Sequence, residues 1–126
     1  MTQLIQVTPF LRVPDIDAAI SFFVDTLGFE LEARIHHYAY VSCGKGVAFR
    51  MIEDDTFEAH GNGAYRSYVD VRDVDALYAK LKPRLDLLPD GHVCAPFDQD
   101  YGMREFTVIG PDGEMIGFGQ AIPMPG

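Results

Sequence analysis

Apolar residues along this chain recur with two alternating periods. Leu11 and Val13 alternate with polar neighbours, as in a strand with one buried face; Ile16, Ala19, Ile20, Phe23 and Leu27 then recur at the spacing of one helix face. Phe29–Arg34, Tyr38–Ser42 and Val47–Ile52 read as three more strands, with Gly44-Lys45-Gly46 turning the last pair. The same order then returns. Tyr65–Val71 is strand-like, and Val74, Leu77, Tyr78 and Leu81 form a helical stripe. Leu87–Cys94 gives a weak strand, while Arg104–Ile109 and Glu114–Ala121 give two clear ones around Gly110-Pro111-Asp112-Gly113, where proline presets φ and glycine accepts a positive φ. Asp15 and Asp73 stand where N-caps belong, Gly28 is placed to stop the first helix, and Pro83 is expected to close the second.

The recurrence is also literal. Val13-Pro14-Asp15-Ile16-Asp17-Ala18 matches Val71-Arg72-Asp73-Val74-Asp75-Ala76 at an offset of 58 residues. The expectation is an α+β protein of two βαβββ modules, about 1–58 and 63–126, within a single domain of 126 residues. The acidic, then glycine-rich stretch from Glu53 to Gly63 reads as the linker, with the boundary near 55–63. A helix covers one face of each sheet and leaves the other apolar, so the expected arrangement is curved mixed sheets around a cleft, a natural ligand site.

Composition narrows the partners. No apolar run approaches the ~18 residues of a membrane span. The net charge of −9 repels phosphate backbones and anionic lipid, so nucleic acid and membrane are not expected partners, and a cationic ligand is favoured. The opening Met1–Gln6 has no basic or long apolar segment, so a cytoplasmic location is expected, with Cys43 and Cys94 as free thiols.

Phe10-Leu11-Arg12-Val13-Pro14-Asp15, Phe22-Phe23 and Leu27-Gly28-Phe29 resemble the opening of the vicinal oxygen chelate superfamily, which holds glyoxalase I, extradiol dioxygenases and bleomycin-resistance proteins. The close, Tyr101-Gly102-Met103-Arg104-Glu105-Phe106, then Gly110-Pro111-Asp112-Gly113 and Ile116-Gly117-Phe118-Gly119-Gln120, is most similar to the bleomycin-resistance branch. The resemblance implies paired βαβββ modules and a homodimer with ligand clefts between subunits. It also implies that a catalytic member would carry His and Glu metal ligands at four strand positions. Carried onto this chain, those positions are Thr8, Arg66, about Arg50, and Gly117. Guanidinium has no lone pair to donate, glycine has no side chain, and a lone hydroxyl is a weak ligand. No metal, cofactor or catalytic residue is therefore expected.

Candidate ligand contacts follow from aromatic and charged positions. Tyr101 resembles the aromatic that stacks on planar drug rings in bleomycin-resistance proteins. His37, Tyr38 and Phe49 on strands of the first half, and Tyr68 on the second, are further candidates. Asp98 and Asp100, beside the expected cleft, suit a cation, whereas Arg104 either binds an anion or pairs with a carboxylate to fix its loop. Arg50 and Arg66 point to an anionic group on a metabolite. Paired His36-His37 cannot serve one ion from a regular strand, where neighbours face opposite ways. The expected function is sequestration of a small molecule, such as a cationic glycopeptide-type antibiotic, in an aromatic cleft without catalysis. The alternative is a divergent metal-dependent lyase or dioxygenase-like enzyme of the same superfamily.

Overall fold

The computed structural model describes residues 3–56 and 66–123, which form two compact units divided between residues 58 and 59. The first unit runs β1 (Phe10–Val13), α1 (Ile16–Ser21), β2 (Glu30–Ile35), β3 (Tyr38–Ser42) and β4 (Ala48–Glu53). The second runs β5 (Arg66–Asp70), α2 (Val74–Leu85), β6 (Val93–Asp98), β7 (Met103–Ile109) and β8 (Met115–Ala121). Each unit is a βαβββ module whose four-stranded mixed sheet has its first strand parallel to its last, in the orders β1-β4-β3-β2 and β5-β8-β7-β6. This is the α+β architecture expected from the repeat. The linker residues 57–63, including His60, and Tyr65 lie outside the described residues.

The duplicated hexapeptide builds the same corner twice. Asp15 accepts from the Ala18 amide and Asp73 from the Ala76 amide, both at 3.1 Å, satisfying helix-start donors that have no partner in the helix itself. A second acceptor arrives from the last strand of each sheet. Glu53 Oε2 takes the Ile16 amide at 2.9 Å, and Gln120 Oε1 takes the Val74 amide at 2.5 Å.

Beyond α1 the helix widens into a π-helical stretch, Phe22–Thr26, with the Leu27 amide reaching back five residues to the Phe22 carbonyl. The wider turn buries both neighbours, Phe22 and Phe23. Phe23 has no exposed surface and sits 5.4 Å from Phe29 and 4.9 Å from Phe49 between ring centroids. In the second unit Phe106 stacks on Phe118 at 4.9 Å and meets Tyr78 of α2 edge-on at 5.2 Å. Such pairs contribute ~0.5–1.5 kcal/mol beyond area burial.

Two elements differ from the sequence reading. Pro83 lies inside α2, two residues before its end. Proline there removes one amide donor, and the following turn still closes through Asp86 N–H to the Lys82 carbonyl. The sixth strand is Val93–Asp98, because Leu87 belongs to an exposed turn. Pro96 and a register break between Cys94 and Phe97 conceal its alternation; both are tolerated because β6 is an edge strand.

Candidate functional site

Strand registers locate the candidate positions. Phe10 pairs with Arg50 across β1 and β4, and Tyr68 pairs with Gly117 across β5 and β8. Tyr68 is 58 residues after Phe10, so Arg50 and Gly117 are equivalent places in the two units. Thr8 precedes β1, and Arg66 opens β5.

In the second unit, the sheet face away from α2 carries a polar network centred on Glu105, which is 7% exposed. Tyr68 donates its phenol to Oε2 at 2.7 Å; Gln99 donates to Oε1 at 2.9 Å, and Tyr101 donates to the same oxygen. Burial alone would raise the Glu105 pKa. The bonds from Tyr101, Tyr68 and Gln99, with the nearby Arg66 charge, outweigh it and hold the carboxyl below its usual range. Burial and the adjacent Glu105 carboxylate push the Tyr68 phenol up; the bond to Glu105 does the same at Tyr101. Both tyrosines therefore remain neutral donors beside an ionised acid.

Two glycines give the network its room. A Cβ at Gly119 would stand 1.9 Å from the Tyr68 phenol oxygen, and one at Gly117 would stand 3.0 Å from its Cδ1. The tyrosine ring thus lies across β8, over Gly117 and Gly119. Around it is a hollow of ≈230 Å³ lined by Arg66, Tyr68, Tyr101, Glu105, Thr107 and Gly117, adjoining another of ≈290 Å³ that reaches Phe97 and His92. Arg66 stands on the rim with no hydrogen bond or ion pair among the described residues. Tyr101, 63% exposed, offers its ring face while its hydroxyl stays tethered.

Arg50 occupies the equivalent face of the first unit. It donates through Nε to Thr8 at 2.9 Å and through Nη1 to the Tyr38 phenol, with its guanidinium 4.3 Å from the Tyr40 ring centroid. The four positions Thr8, Arg50, Arg66 and Gly117 thus present one hydroxyl, two guanidinium groups and bare backbone, a set that does not fit a divalent cation. No group of three or more His, Cys, Asp or Glu side chains placed to hold a metal occurs among the described residues.

The remaining sequence candidates lie elsewhere. Phe49 is buried against Phe23 and Phe29 beneath α1, so it faces the core rather than a ligand. Arg104 turns to the helix side, where it binds Asp75 at 3.0 Å and Asp98 at 3.0 Å, joining α2 to β6; this is the loop-fixing alternative, and it also occupies Asp98. Asp100 is exposed in the turn before Tyr101. His37 sits in the two-residue β2–β3 turn and contacts Glu53 at 2.7 Å, lining a separate ≈450 Å³ hollow with Arg12, Asp54 and Asp55. Two of the acids there are engaged internally: Glu53 holds Ile16 and His37, and bonds from Thr56 and Arg12 bring Asp54 down to about 2. Reading the residues singly missed Glu105, Gln99, Tyr40 and Gly119. The signal for the first was a lone acid within Met103-Arg104-Glu105-Phe106, and for the last the Gly-Phe-Gly alternation of β8.

Comparison with known proteins identifies the family and the fold. The model of the Glyoxalase/Bleomycin resistance protein/Dioxygenase superfamily matches residues 3–118. Bleomycin resistance proteins of Geobacillus stearothermophilus and Staphylococcus aureus are 31% identical, covering 94% of this chain and 98% of theirs. The fold is shared with the bleomycin-binding protein of bleomycin-producing Streptomyces verticillus, solved with copper(II)-bleomycin (TM-score 0.76, 24% identity, covering 98% of this chain and 100% of that one). It is shared also with TnmS3, an antibiotic binding protein from Streptomyces sp. CB03234 (TM-score 0.65, 28% identity, covering 96% and 97%).

Proposed function

Because the chain belongs to the glyoxalase/bleomycin resistance protein/dioxygenase superfamily, we propose that it binds and sequesters a small molecule, a bleomycin-type antibiotic or a metabolite of similar chemistry, and catalyses no reaction on it. One observation carries this reading: the four positions at which the resemblance implies metal ligands hold Thr8, Arg50, Arg66 and Gly117, and Tyr68 lies over the last of them. A site without a Lewis acid or a free general base can still supply affinity. Tyr101 offers a planar face, and its tether to Glu105 fixes the ring before a ligand arrives, which reduces the ordering cost of binding. The phenol oxygens of Tyr68 and Tyr101 spend their hydrogens on Glu105, so they face the hollow as acceptors and suit ligand N–H groups. The net charge of −9 raises the local concentration of a cationic ligand. A cytoplasmic homodimer completes the reading, and sedimentation at micromolar concentration tests the dimer.

Titration with copper(II)-bleomycin and with metal-free bleomycin, followed by calorimetry, tests the function. Saturable binding is expected, and Tyr101→Ala should weaken it about tenfold, in line with the loss of a stacked ring worth ~0.5–1.5 kcal/mol. Absence of saturable binding, or stoichiometric transition metal held by the purified protein through chelation, would overturn the reading.

A further inference from the structure

Arg50 sits half-buried on β4 between Phe10 of β1 and Tyr40 of β3, in a chain with 19 acidic and 10 basic residues. Even so, no carboxylate among the described residues forms an ion pair with it, whereas Arg12 and Arg34 each have one and Arg104 has two. Its neighbours are neutral: Thr8 and Tyr38 accept from the guanidinium, and the Tyr40 ring lies against it, itself anchored by Gln6 at 3.0 Å. A guanidinium ordered this way has lost much of its rotamer freedom and part of its hydration without gaining a counter-charge.

The hydrogen inventory shows what the cluster lacks. Arginine has five N–H donors, and two are used, one on Thr8 and one on Tyr38. The two hydroxyls receive those bonds on their lone pairs, so each keeps its own O–H for another acceptor. Tyr40 is in the same condition, accepting from Gln6. Every polar hydrogen left over is a donor, and the only formal charge is positive. An acceptor-only group with negative charge satisfies all of them together, and charge-assisted bonds of this kind are about twice as strong as neutral ones.

We propose that Thr8, Tyr38 and Arg50 form an oxyanion-binding site on the first unit, taking the carboxylate, sulfate or phosphate group of a ligand. The site lies on the first unit, whereas the contacts proposed for an antibiotic, Tyr68 and Tyr101 around Glu105, lie on the second. Its two hydroxyls do what backbone amides do in other anion sites: they add donors without adding charge. The Tyr40 face holds the guanidinium plane in place, so an incoming oxyanion meets an ordered cation.

Inorganic sulfate is the probe, titrated against chloride at constant ionic strength and followed by backbone amide NMR shifts. Saturable shifts centred on Thr8, Tyr38 and Arg50 are expected. Arg50→Met should weaken sulfate binding about tenfold or more, and Tyr38→Phe, which keeps the ring and removes one donor, about threefold. Lys45→Met, in the exposed β3–β4 turn, should leave it unchanged. Non-saturating shifts, saturable shifts centred on other residues, or full affinity in either Arg50→Met or Tyr38→Phe would overturn the proposal. The second variant keeps the test decisive if the first fails to fold.

Discussion

Replacing Gly119 with alanine is expected to drive Tyr68 off the sheet, lower stability by about 2 kcal/mol and weaken ligand binding in the same step. The added Cβ would stand 1.9 Å from the Tyr68 phenol oxygen and 2.8 Å from its Cζ, inside any real contact distance. The same Cβ would lie 3.1 Å from Cβ of Glu105, so the strands offer no slack. Tyr68 is 46% exposed and can swing outward, which limits the steric cost to the bonds it leaves. Those bonds matter because Glu105 is buried and ionised: a hydrogen bond to a charged group contributes ~1.5–3 kcal/mol, and a buried acceptor left short costs about as much. Urea unfolding of Gly119→Ala, Tyr68→Phe and the double variant tests this. Once Tyr68 has been displaced, removing its hydroxyl should cost almost nothing, so the two single losses should fail to add. Additive losses would mean that Gly119 acts through something other than Tyr68.

The repeat was readable because a βαβββ module writes its corner locally. The hexapeptides at Val13 and Val71 hold the cap aspartate and the start of a helix, each with strand residues just before it and an apolar helix stripe running on after it. What escaped was set by distance in the chain. Gln120 reaches the Val74 amide and Glu53 reaches Ile16 only because parallel pairing brings first and last strands together. Alternation correctly put Arg104 and Glu105 on opposite faces; which face belonged to α2 depended on Asp75 being within reach of Arg104. The sequence thus draws attention to the more conspicuous Arg104, whereas the network centres on its neighbour Glu105. Phe49 was misplaced for a related reason. Aromatic residues on both faces of a strand look alike until the π-helical stretch delivers Phe23 to one of them.

The duplicated frame carries different chemistry at equivalent places. Arg50 and Gly117 share one register position, as do Tyr38 and Glu105, two residues along the neighbouring strand from the partners of those positions. In the first unit the pair is a guanidinium donating to a phenol, and in the second a phenol from β5 crosses the vacant glycine to donate to a carboxylate. Each unit thus closes this place on its sheet with an internal hydrogen bond. A single Gly117→Glu exchange would therefore meet the Tyr68 ring before it met any ion, since even a Cβ there lies 3.0 Å from Cδ1.

Among the carboxylates with a shifted pKa, Glu114 carries the largest dependence between pH 5 and 8. It follows the Gly110–Gly113 turn into β8, is 3% exposed, and its Oε1 has no partner among the described residues. Burial, reinforced by the charge of Asp112 and only partly offset by backbone amides of the turn, raises its pKa to about 7 from an ordinary 4.5. A raised pKa means that the folded state holds the proton more tightly than the unfolded chain. The associated stabilisation is complete below pH 4.5, declines as pH rises toward 7, and is gone above that, a swing of roughly 3 kcal/mol. Glu105, Glu53 and Asp54 have lowered values, so what they contribute is lost only on the acid side, below the ordinary carboxylate range. Between pH 5 and 8 the slope from carboxylates thus belongs to Glu114. Glu114→Gln cannot ionise. Its stability relative to the wild type, read from urea unfolding at each pH, should rise by about 2–3 kcal/mol from pH 5 to pH 8. Parallel curves for the two proteins would show that the Glu114 carboxyl ionises freely in the folded state.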